Sequence, residues 1–186
     1  MKNIIDYVKS HVVLDSYSSS TNFKGFCFSD IGWNDEKYIR ILLNIIELLV
    51  SRLKLVSSLN IGLNFDEHTQ EYSVTQECEV CRNSLIEAGI ITNIEGDVPS
   101  DVFHFSGEVD ADIALNLIRY QTSIGGAFGH AFFVDSKNGV ILYPHDDCGL
   151  GFIIMGDVES QNQKLNTLKE IDLKYKNIMS FEFWKG

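Results

Sequence analysis

The sequence predicts an α+β fold: an antiparallel sheet with a C-terminal β-meander, and helices packed on the sheet. Three observations predict it. Helical patterns at about 35–56, 74–88, 110–122 and 158–175 are interleaved with short apolar runs of strand character. Asn138-Gly139 stands between two such runs, a strong hairpin signal. The chain of 186 residues and 21.0 kDa, 45% hydrophobic, suits one domain over 1–186 and can bury its own core. With prolines only at 99 and 144, and neither a repeat nor a low-complexity tract, nothing marks an interdomain linker.

In chain order, residues 2–14 form a short helix or strand, and the polar run 15–22 is a loop. Phe23 to Ser29 reads as a strand. Asp35 is a candidate N-cap for the helix at 35–56, which is apolar on most faces and therefore expected at the centre. A break at 57–60 leads to a short strand at 61–65. The helix at 74–88 has Ser73 as its candidate cap and Gly89 as its terminating glycine. Residues 90–92 continue as a short strand, and 102–105 alternate as another. Asp110 or Asp112 starts the helix at 110–122, with Gly125-Gly126 as its stop. The strands 128–134, 140–143 and 150–155 make the meander, and a terminal strand at 180–184 follows the helix at 158–175.

The charge narrows the functional classes. Twenty-six acidic residues against 15 basic ones leave a net charge of −11. Such a surface repels phosphate backbones and anionic lipid, disfavours nucleic acid and membrane as partners, and steers toward basic proteins. Met1-Lys2-Asn3 leads into a charged amphipathic segment rather than the apolar core of a signal peptide. The greasy stretch 39–56 is interrupted by polar residues including Arg40, Glu47, Arg52 and Lys54, which are expensive in a bilayer. A cytoplasmic location with free thiols is therefore expected.

Few residues carry recognisable chemistry. Cys78 and Cys81 form one C-x-x-C, but with Leu85 they follow helical spacing and read as a core-facing stripe. Tyr143-Pro144-His145-Asp146-Asp147-Cys148-Gly149 is the densest segment, and His130 on the preceding strand could approach it. His, Asp and Cys together suit zinc, yet consecutive side chains point in different directions and chelate one ion poorly. Asp-Asp-Cys-Gly also matches ordinary turn chemistry. A thiol hydrolase would need Cys148 beside a base such as His130 or His145, but Cys148 precedes a strand rather than opening a helix. The residues thus predict neither a catalytic set nor a metal or cofactor site.

From about 108 to 157 the chain resembles a group of small bacterial proteins of toxin–immunity loci, including contact-dependent growth inhibition immunity proteins. The residues concerned are Asp110-Ala111-Asp112, Gly125-Gly126, Phe132-Phe133-Val134-Asp135, His145-Asp146-Asp147-Cys148-Gly149 and the apolar run 150–154. The usual turn of that group has Arg before its Gly, where this chain has Cys148, so an Asp–Arg pairing there is absent. The resemblance implies an immunity protein rather than an enzyme: stoichiometric binding of a cognate toxin domain, commonly a basic nuclease. The free chain is then expected to be a monomer that forms a 1:1 complex. Asp110, Asp112, Asp146 and Asp147 are the candidate toxin contacts. Two alternatives stand beside it: a metal-dependent or thiol enzyme centred on His130, His145, Asp146 and Cys148, and an acidic protein-binding scaffold module.

Overall fold

The computed structural model describes residues 3–29, 36–62, 76–94, 101–124, 127–145 and 149–184. The fold is α+β, as the sequence predicts. In order it contains α1 (Ile4–His11), β1 (Phe23–Ser29), α2 (Glu36–Leu49), β2 (Lys54–Ser57), β3 (Asn60–Gly62), α3 (Gln76–Glu87) and β4 (Thr92–Ile94). Then come β5 (Phe105–Glu108), α4 (Ala111–Arg119), β6 (Ala131–Asp135), β7 (Val140–His145), β8 (Gly149–Ile154), α5 (Val158–Tyr175) and β9 (Met179–Phe183). A 3-10 turn at Tyr17–Ser19 lies within the expected loop, and a π turn at Tyr120–Ile124 extends α4.

Seven strands form one sheet in the order β5-β2-β6-β7-β8-β1-β9, with every pairing antiparallel. The meander β6-β7-β8 is its centre, and β1 and β9 are added beside β8. Side chains of these strands divide between two cores. Leu55, Phe133, Leu142, Phe152 and Ile154 pack on one face with α2, α3, α4 and α5. Val56, Phe132, Val134, Ile141 and Ile153 pack on the other with α1 and the segment that follows it. Coverage on both faces explains why the central strands read as continuous apolar runs rather than clean alternations. No helix among the described residues is long and apolar enough to cross a membrane.

Three expectations need correction. The helix expected over 35–56 ends at Leu49, and Lys54–Ser57 forms β2 between β5 and β6. The Ser51 N–H turns onto the Asp135 carboxylate at 2.8 Å, so the chain leaves the helix to make a tertiary bond that local sequence does not reveal. The strand expected at 102–105 is displaced to Phe105–Glu108, because its register follows from pairing with Lys54–Ser57. Finally, β3 and β4 form a separate parallel pair. The crossover containing α3 joins them, which is the connection parallel strands require.

Several local signals hold. At Gly89, φ is +71°, and its N–H donates to the Ile86 carbonyl while that of Ile90 donates to Leu85, closing α3 with a Schellman motif. Asp157 caps α5 through the Ser160 N–H at 2.8 Å. The expected caps Asp35 and Ser73, the stop Gly125-Gly126 and most of the strand at 61–65 lie outside the described residues.

Candidate functional site

Of the four acidic contact candidates, two are visible. Asp110 is the N-cap of α4: its carboxylate accepts the Ile113 N–H at 2.8 Å and its carbonyl accepts that of Ala114. Asp112 lies in the first turn, and both residues are exposed. Negative charge here also complements the helix dipole, so a folding role accounts for part of this acidity. Neighbouring Glu108 is paired with Arg52 at 3.0 Å on the surface.

Asp146, Asp147 and Cys148 lie outside the described residues. The residues on either side, His145 and Gly149, are register partners at one end of the sheet. Glu108 stands at the opposite end, level with Lys54, and Asp110 follows it. A strand of six residues separates these ends by roughly 20 Å. The acidic candidates therefore flank the sheet instead of forming one compact patch.

At the His145 end the structure brings His130 and His145 to the same face, among aromatic rings. Tyr17 and Tyr143 approach with centroids 4.2 Å apart, Tyr17 meets His130 edge-on at 5.6 Å, and Phe26 meets His145 edge-on at 5.8 Å. The Tyr17 hydroxyl makes a short hydrogen bond with His130 Nδ1. His130 Nε2 is buried and has no hydrogen-bond partner among the described residues. Burial pushes this imidazole below its ordinary 6.5, against the opposing pull of Asp15 and Asp101. Burial first, and the Tyr17 phenol second, push Tyr143 above its ordinary range.

The backbone fixes His130 in place. Its N–H donates to Ser58 Oγ at 2.9 Å, and its carbonyl accepts the Ser58 N–H at 2.8 Å. Gly129 makes this approach possible: at φ +104° an added Cβ would run into the Ser58 carbonyl. The result is a neutral imidazole tying the segment after α1 to the sheet. Among the described residues, no group of three or more His, Cys, Asp or Glu is placed to hold a metal ion.

Asp135 was visible in the sequence only as the first residue of a turn, yet it organises the opposite end of the sheet. Its carboxylate accepts the N–H groups of Ser51, Lys137 and Asn138 at 2.8, 3.1 and 2.9 Å, and Asn138 Nδ2 at 2.8 Å. Burial opposes its charge, but the donors on Ser51 and Asn138 outweigh that and hold it at about 2. The pattern Asp-x-x-Asn-Gly was the available signal for the turn bonds; the bond from Ser51 had none.

Cys81 and Leu85 are buried, as the helical stripe predicts, whereas the Cys78 side chain lies outside the described residues. The Cys81 thiol meets Asn116 Oδ1 at 3.5 Å and Arg119 Nη1 at 3.7 Å, and Arg119 is also paired with Glu36. Burial pushes the Cys27 thiol up to about 12, so it is no nucleophile at neutral pH. A shallow groove of about 290 Å³ separates α2 from α5, with Ile41, Ile45 and Ile171 as floor and Asn44, Glu47 and Lys174 on the rim.

Compared with protein-family models, curated proteins and solved structures, the chain finds no match in any of the three.

Proposed function

We propose that this chain is an immunity protein: a non-catalytic, cytoplasmic inhibitor that binds a cognate basic toxin domain, probably best represented by a nuclease, one partner per chain. The observation that carries the reading is the charge of −11 together with the exposed Asp110 and Asp112 at the start of α4. A nuclease domain is basic where it holds phosphate, so an acidic partner is steered to that surface and occludes it. The resemblance over 108–157 supports the same reading.

The test is co-expression with the C-terminal part of the protein encoded immediately upstream. A stable 1:1 complex and rescue of growth are expected; a toxic partner that neither binds nor is neutralised would refute the proposal. Asp110 offers a cleaner probe within that experiment. Asp110→Asn keeps a good N-cap while removing the charge, so it should fold normally and associate more slowly at low salt. An unchanged association rate would remove Asp110 from the interface.

The enzyme reading draws support from one observation, the placement of His130 and His145 on the same face and end of the sheet. Metal analysis of protein purified without a tag tests it, and fewer than about 0.1 equivalents would sink the metal version.

A further inference from the structure

The two edges of the seven-stranded sheet are built differently. At one edge β5 is short and carries Glu108, with Asp101 and Asp110 close by in the chain. Charge of this kind is how natural sheets discourage edge-to-edge pairing. At the other edge β9, Met179-Ser180-Phe181-Glu182-Phe183, has a single charge. Beyond it Trp184 is 53% exposed. Among the described residues only β1 pairs with β9.

The register shows which backbone groups remain to be used. The Trp184 N–H donates to the Lys24 carbonyl, so even-numbered residues of β9 face β1 under antiparallel alternation. The N–H and C=O groups of Met179, Phe181 and Phe183 consequently point outward. Two copies related by a two-fold axis at Phe181 would place Phe181 opposite its own counterpart and Met179 opposite Phe183, so all outward groups meet partners. Ser180 and Glu182 then oppose each other across the closely spaced, non-hydrogen-bonded positions, and no glutamate faces a glutamate. On the α5 side the rings of Phe152, Phe181 and Phe183 already form a stacked row, with centroids 6.0 and 5.9 Å apart and interplanar angles of 8° and 16°. The two-fold axis would continue that row with an aromatic cross-strand pair.

We propose that the outer edge of β9 binds the β9 edge of a second copy of this chain, antiparallel and centred on Phe181, joining two seven-stranded sheets. The free chain is then in a monomer–dimer equilibrium rather than the monomer expected from the sequence. Five residues of strand span only about 17 Å, less than a standard interface of roughly 800 Å² per partner provides. The dimer is therefore weak, with a dissociation constant on the order of micromolar to hundreds of micromolar. Two chains of net charge −11 also repel, so added salt strengthens the pairing.

Sedimentation velocity of the full chain from 1 to about 500 µM, in low and in 0.5 M salt, reads this equilibrium directly; the ranges are chosen around the affinity expected for so small an interface. The expected result is a mass rising toward twice 21.0 kDa, more readily at high salt. Two variants of similar size test the register. Ser180→Glu sets like charges against Glu182 of the other copy and should weaken the dimer roughly two- to tenfold, while Ser180→Lys should strengthen it by a similar factor. A wild-type chain that stays monomeric at the highest concentration in 0.5 M salt overturns the proposal. So does a shift of both variants in the same direction.

Discussion

Replacing Asp135 by Asn should cost stability in a way that depends on pH, and the structure indicates how. The Asp135 carboxylate is 6% exposed and accepts four N–H donors, three from backbone and one from the Asn138 side chain. Its carboxyl is held at about 2 against an ordinary 3.8. That difference is just under two units, and each unit is worth about 1.4 kcal/mol, so the charged form contributes about 2 kcal/mol. The folded value lies below the unfolded one, so the unfolded chain binds more protons between them. The contribution is complete above about pH 5, roughly half gone near pH 3 and nearly absent at pH 2. In Asp135→Asn the amide NH₂ must also face one set of N–H donors, which adds a penalty independent of pH in this range. Urea unfolding of both proteins at pH 7, 5, 4, 3 and 2 gives the difference curve, in which the other carboxylates cancel. A gap of about 3 kcal/mol at pH 7, narrowing by about 2 kcal/mol at pH 2, is expected. A gap of constant size would show that Asp135 is not held as a charged acceptor and would refute the reasoning.

Three other outcomes follow from the same structure. Because burial depresses His130, its stability contribution is complete above pH 6.5 and declines as pH falls below it; wild type should lose more stability than His130→Gln between pH 7.5 and 5.5, measured by chemical unfolding. Equal losses would show that His130 is not held neutral. Phe133→Ala removes a fully buried ring beneath the helices and should lower stability by about 3–5 kcal/mol in the same assay. Gly129→Ala combines a positive φ with a collision at the Ser58 carbonyl, so a loss of about 1–3 kcal/mol and faster amide exchange at Ser58 and His130 are expected. Unchanged exchange there would place the strain elsewhere.

The candidate site was legible only in part. Asp110 as a helix start could be read from its place before an apolar helical pattern, and the structure makes it the cap. The approach of His130 to His145 could be read from the hairpin between them, because a two-strand connection with a defined turn sets which residues meet. Tyr17 could not be read, since 113 residues separate it from its partner His130. Its ring reaches the imidazole only because α1 packs on the face of the sheet that carries Phe132 and Tyr143. The same limit hid the bond from Ser51 to Asp135, which spans 84 residues.

By itself the sequence determined the α+β class, the strand at Phe23–Ser29, the meander, the helix at Val158–Tyr175 and the acidic charge. Each is a property of composition or of a period within a few neighbouring residues, where turn chemistry and side-chain spacing act directly. Tertiary structure decided that Lys54–Ser57 leaves the helical pattern to join the sheet, that β9 adds beside β1, and that β3 and β4 run parallel. It also decided that Asp110 and His145 stand at opposite ends of the sheet. Those outcomes depend on pairings between distant segments, whose energy comes from apolar surface buried jointly and from backbone groups satisfied across strands. No local pattern carries that information, because either partner alone is compatible with more than one arrangement.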